Sequence, residues 1–208
     1  MSLDARQELL LRLYDQLWNS INRQIEVVWQ SVSVLVGAFA ILTLVEKNIV
    51  PLDIAVSIIL LLSTWLMAHV FDSSLWYNRN LAIIANIERQ FLASSDIQNV
   101  HHFFRSHRSA KMLDHLKLQM SLGLGLSAIV IFYHFMERVY PGLSAPWSNF
   151  QTIRGMPYMV MLVAILYLMG LKKNSESKYS EFLKKSPGAQ IERQIAQGDT
   201  NSQVNEGS

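Results

Sequence analysis

The side chains able to do chemistry in this chain fall into a few small groups. His101, His102, His107 and His115 crowd one stretch and invite a zinc reading. Their spacing matches no standard ligand pattern, and no metal or other cofactor is expected. With Arg105, Arg108 and Lys111 among them, they read as a basic surface for anionic lipid headgroups or a polyanionic partner, and Lys172 and Lys173 extend that reading. His69 with Asp72, and His134 with Glu137, stand three residues apart, a spacing that puts both members on one helix face. Like Asp53, these residues fall near the ends of apolar runs, where they can reach water. They read as helix-end caps and interface anchors, because a proton-coupled path needs an ionisable group deeper in the membrane. There is no Cys, so disulfides, thiolate metal sites and cysteine nucleophiles are excluded. No HExxH helix, GxSxG elbow or Gly-rich phosphate loop occurs, and the chain is expected not to be an enzyme.

A second group lies in "WYNRNLAIIANIERQF", residues 76 to 91. At 100° per residue, Trp76, Tyr77, Ile83, Ile84, Ile87 and Phe91 form an apolar face, with Asn78, Arg79, Asn86, Arg89 and Gln90 opposite. Asn80 and Glu88 break the pattern by lying within the apolar face. A buried polar group is costly unless hydrogen-bonded. The two therefore either pair inside a helix bundle and fix its register, or meet a partner, with Trp76, Arg79 and Arg89 beside them.

The elements that carry these groups follow from hydropathy. Half of the 208 residues are apolar and 16% are charged. Four apolar runs, Val27 to Val45, Ile54 to Phe71, Leu118 to Phe135 and Met156 to Leu171, approach the ~20 residues that cross a bilayer. The expected fold is all-α: a multi-pass membrane protein with four transmembrane helices and a helical cytosolic stalk. Of the 18 Lys and Arg residues, only Lys47, Arg138 and Arg154 fall in the two loops assigned to the far side. The positive-inside rule therefore predicts an inner-membrane protein with both termini cytoplasmic. The N-terminus lacks the pattern of a signal peptide, and a net charge of +2 is too small to point to direct nucleic-acid binding.

Along the chain, residues 1–28 read as an amphipathic helix, with Leu10, Tyr14, Leu17, Trp18, Ile21, Ile25 and Val28 on one face. It is expected to run unbroken from Leu3 to Val45. Residues 28–71 form a first transmembrane hairpin, 72–117 a cytosolic helical segment, 118–171 a second hairpin and 172–208 a mostly disordered cytosolic tail. Ser95 and Ser109 mark short helices within the middle segment. In "SLGLGLSA", Ser121 with Gly125 and Gly123 with Ser127 are small residues four apart, which favour close helix packing in a membrane.

The amphipathic N-terminal helix, the two-span hairpin and the continuing "WYNRNLAIIANIERQF" helix resemble the SLATT-type membrane proteins of bacterial conflict systems. With the second hairpin, the outline is similar to the four-span membrane subunit of the Kiwa anti-phage system. The resemblance covers the helix order of residues 5 to 140. It implies a cytosolic signal coupled to a membrane protein that compromises the membrane or detects its disturbance, and it brings no catalytic residues. The expected function is an anti-phage or toxin-like effector that depolarises the membrane. It would be a homo-oligomer with a cytosolic partner protein encoded nearby. The alternative is a non-catalytic sensor or scaffold that recruits a cytosolic effector.

Overall fold

The computed structural model describes residues 3–30, 33–92, 114–143 and 151–185. Five α-helices follow in order: α1 Leu3–Gln30, α2 Ser33–Glu46, α3 Leu52–Phe91, α4 Asp114–His134 and α5 Met156–Lys185. A π-helical turn, Phe135–Val139, continues α4 into a 3-10 turn, Tyr140–Gly142, and a second 3-10 turn, Thr152–Gly155, leads into α5. No strand occurs among the described residues.

Three stretches are long and apolar enough to cross a membrane: Leu52–Phe91, Leu116–Gly142 and Thr152–Lys185. The expectation of four spans holds for three. The first apolar run is a shorter helix, α2, of 14 residues. At 1.5 Å per residue it covers about 21 Å, short of a ~30 Å hydrocarbon core. The expected single helix from Leu3 to Val45 is described as α1 and α2, with residues 31 and 32 between them outside the described set. α2 ends where Asn48 adopts a left-handed φ of 55°. The Ile49 N–H then donates to the Leu44 carbonyl (2.9 Å) and the Asn48 N–H to that of Val45 (2.8 Å), which closes the last turn. Pro51 sets the start of α3, whose Ala55 N–H donates to the Pro51 carbonyl at 3.0 Å.

The chain divides into two compact units. One comprises Glu26–Ser74 and Met112–Asn174. In it α3 and α4 run antiparallel: Asp53 meets His134, the Ser63–Met67 turn meets Gly123, and Val70 meets Leu116. Ala38 of α2 joins Val56, Ile59, Leu60 and Val130 in the core, with Val160 and Met161 of α5 packed against them. The outward faces are apolar too: Leu61 and Trp65 of α3, Ile129 and Phe132 of α4, and Leu162 and Leu166 of α5 are all exposed. A surface so rich in large apolar side chains suits lipid and not water.

The other unit comprises Met1–Ile25, Leu75–Lys111 and Ser175–Ser208. Ile21 of α1 is buried with Leu81 and Ile84 of α3, and Tyr14, Leu17, Trp18 and Ile25 close around them, on the face that the 3.6 period marks. Along α3 the burial departs from the single apolar face expected. Asn78, placed on the wet side by periodicity, is buried, whereas Trp76 and Phe91 are exposed. The end of α5 packs here as well, with Tyr179 buried and the Arg79 guanidinium 5.4 Å from the Phe182 ring. The expected tail from residue 172 is helical in its first part, because α5 runs on to Lys185. The short helices expected from Ser95 and Ser109, and the tail beyond Lys185, lie outside the described residues.

Candidate functional site

Asp53, the second residue of α3, is almost wholly buried, as is His134, the last residue of α4. The antiparallel register brings them together: His134 Nε2 lies 3.0 Å from Asp53 Oδ1. Four residues on, Arg138 sits in the π turn and donates from its guanidinium to Asp53 Oδ2 at 2.8 Å. Tyr158, in the first turn of α5, places its hydroxyl 3.1 Å from His134 Nδ1, with its ring edge-on to the imidazole at 5.4 Å. Pro157 beside it is also fully buried. Arg154 donates to the Arg138 carbonyl (3.2 Å) and to Gln151 Oε1 (3.2 Å).

One neutral tautomer satisfies this chain of groups. The Tyr158 O–H donates to Nδ1, Nε2–H donates to Asp53, and Arg138 donates to the other carboxylate oxygen. The result is a charge-balanced cluster that ties together the start of α3, the end of α4 and the start of α5. A hydroxyl–imidazole–carboxylate line is also the arrangement that activates a nucleophile. Here the carboxylate is shared with a guanidinium, and the groups face one another inside the helix packing, which suits holding helices better than attacking a substrate.

This corrects the sequence reading. Asp53 and His134 do not reach water at span ends; they face each other because the two ends lie side by side. His134 does not pair with Glu137, which is exposed, because the imidazole turns inward to α3. His69 stacks on Trp65 (ring centroids 5.6 Å apart) and makes no ion pair with Asp72, which is exposed. Tyr158, Arg138 and Arg154 were not anticipated. The available signal was an Asp in the first turn of one apolar helix and a His and Arg four apart at the end of its antiparallel neighbour.

Asn80 and Glu88 lie at the α1–α3 contact. The Asn80 amide donates to Ser20 Oγ (3.2 Å) and the Tyr14 hydroxyl to Glu88 Oε1 (3.2 Å). These positions match an antiparallel pairing of the two helices. Glu88 lies beyond the apolar part of α3; burial raises its pKa, and the Tyr14 bond lowers it in part. Burial likewise raises Tyr14 above its ordinary value, and the Glu88 charge adds to that. Arg79 lies over the Trp76 ring at 5.1 Å, and Arg89 bonds Asn86 Oδ1 at 3.2 Å. All five residues are thus engaged within their own unit.

The two small-residue ridges of α4 separate. Gly123 is buried, and a Cβ there would lie 2.9 Å from Met67 Cγ, so glycine at this position permits the close approach of α3. Ser127 bonds the Gly123 carbonyl (2.9 Å). A Cβ on Gly125 would meet nothing within 4 Å, and Ser121 is exposed with its hydroxyl on the Lys117 carbonyl. Lys172 and Lys173 are exposed on α5, while Arg105, Arg108, Lys111 and the histidines 101, 102 and 107 lie outside the described residues, as does the His115 side chain. No group of three metal-ligating His, Asp or Glu side chains occurs among the described residues.

Comparison of the chain with protein families, with curated proteins and with solved structures finds no match.

Proposed function

We propose that this chain is a non-enzymatic effector of the bacterial inner membrane that makes the membrane leaky by rearranging its helices. The observation that carries this reading is the Asp53–His134–Arg138–Tyr158 cluster. Ionisable groups among apolar membrane helices are costly and are tolerated when paired. Under this reading a trigger moves the helix ends apart and water replaces the protein partners of these groups. Water drawn between membrane helices is a path for ions. The cluster is then a latch, closed while its charges meet each other. The amphipathic faces of α1 and of residues 75–91 are the elements that would receive the triggering signal, with the termini in the cytoplasm. The anti-phage or toxin-like setting rests on the resemblance of the helix order alone.

A second reading is a sensor or scaffold. Leu9, Leu11 and Leu13 of α1 are exposed, and they could seat a cytosolic partner without any leak. A potential-sensitive dye in cells producing the protein separates the two. Production of His134→Ala depolarises the cells under the latch reading; normal potential with continued biological activity favours the scaffold.

A further inference from the structure

The end of the membrane unit that holds the latch carries two arginines close to the single carboxylate of the latch. Asp53 is the buried carboxylate there, and both of its oxygens are taken, one by His134 and one by Arg138. Arg154 has no carboxylate partner among the described residues: its two bonds go to a side-chain amide and a backbone carbonyl. Arg138 carries its guanidinium on a side chain that is 36% exposed, and its Nε–H finds no acceptor. The bond from Arg154 to the Arg138 carbonyl holds the two arginines near each other. Gly142 assists, since a Cβ there would stand 3.3 Å from the Arg154 guanidinium. Glu137 is exposed and forms no ion pair among the described residues. The stretches Leu52–Phe91 and Thr152–Lys185 begin at this end and Leu116–Gly142 finishes here, so in a bilayer crossed by these helices the two guanidiniums would lie near the lipid headgroups. Tyr140, exposed beside them, is of the type that anchors at that depth.

We propose that Arg138 and Arg154 form a binding site for the phosphodiester of an anionic phospholipid headgroup. Guanidinium is a planar, weakly hydrated donor fork that matches phosphate oxygens. The preference for an anionic lipid over a zwitterionic one follows from the same geometry. Both oxygens of Asp53 are taken, Glu137 bonds neither arginine, and Arg154 has no carboxylate partner among the described residues, so its charge is open to a lipid with net negative charge. The site stands on the chain lying in a bilayer and is independent of the leak.

The test uses the full-length protein in a neutral detergent, titrated with phosphatidylglycerol, phosphatidylcholine or inorganic phosphate and followed by native mass spectrometry. Wild type is expected to bind phosphatidylglycerol about fivefold more tightly than Arg154→Gln, from the typical contribution of one arginine at an anionic surface. Phosphatidylcholine binds both weakly and alike. Arg154→Lys, which keeps the charge without the fork, falls between them. Arg154→Gln leaves the Asp53 bonds in place, so an unchanged unfolding temperature without lipid certifies its fold; should it fail to fold, Arg154→Lys against wild type decides. Equal phosphatidylglycerol affinity in wild type and the folded variant overturns the proposal. Competition by millimolar inorganic phosphate assigns the site to free phosphate and overturns the lipid.

Discussion

Replacing Asp53 by Leu removes the carboxylate that both His134 and Arg138 bond. His134 is fully buried, so its Nε2–H loses its acceptor without access to water, at a cost of about 1–3 kcal/mol. Removing one partner of a fully buried ion pair costs about 3–5 kcal/mol. Arg138 is more than a third exposed and can turn to water, which reduces its share substantially. The expected loss for Asp53→Leu is therefore about 2–4 kcal/mol, or roughly 5–15 °C in unfolding temperature for a chain of this size. Asp53→Asn keeps an acceptor for the imidazole and loses only the charge, so about half that loss is expected. The assay is thermal unfolding of purified protein in a neutral detergent, read by near-ultraviolet circular dichroism. If Asp53→Leu unfolds within a degree of wild type, the cluster does not hold the helix ends and the latch is refuted.

Other expectations concern the rest of the chain. Gly123→Leu should lower stability by about 1–3 kcal/mol, because its side chain meets Met67, whereas Gly125→Leu should leave the unfolding temperature unchanged. If the Ser121/Gly125 ridge packs on a second copy, Gly125→Leu should also shrink the cross-linked species and abolish depolarisation while the protein still reaches the membrane. Burial raises the Glu88 pKa, so the folded state holds that proton more tightly than the unfolded one. Stability from this group is present at low pH and is lost as pH rises through the raised value. Glu88→Gln should therefore raise the unfolding temperature at pH 8 more than at pH 5; an equal gain at both pH values would contradict the burial argument. Reporter fusions after Gln98 and Lys185 should be active as cytosolic reporters, and fusions at Lys47 and Ser148 as extracytoplasmic ones. The Lys47 fusion is the sharpest of these, because α2 is short for a span.

The helices were legible because their signals are local. Long apolar runs and the Tyr14–Leu17–Trp18–Ile21–Ile25 stripe need no knowledge of neighbours. The placement of Asn80 and Glu88 on a contact face was legible for the same reason. What escaped the sequence depended on which helices meet. Asn78 looks wet by periodicity, yet the structure buries it, while the end of α5 meets the neighbouring Arg79. Asp53 and His134 are 81 positions apart, and nothing local couples them. The equal-looking small-residue ridges of α4 differ only because Met67 comes up against one of them. The π turn that carries Arg138 has no composition of its own.

Ion flux from liposomes loaded with potassium shows whether charges in the cluster hold a leak closed. Three forms are compared: wild type, Asp53→Leu, and the combined Asp53→Leu, His134→Leu and Arg138→Leu. Removing one partner leaves buried polar groups that draw in water, whereas replacing all three with apolar side chains removes the need for water and is often neutral or stabilising. Asp53→Leu should release potassium faster than wild type without any trigger, and the combined variant should fold and stay tight. Equal release from all three forms, or a tight Asp53→Leu beside a leaky combined variant, would contradict the latch.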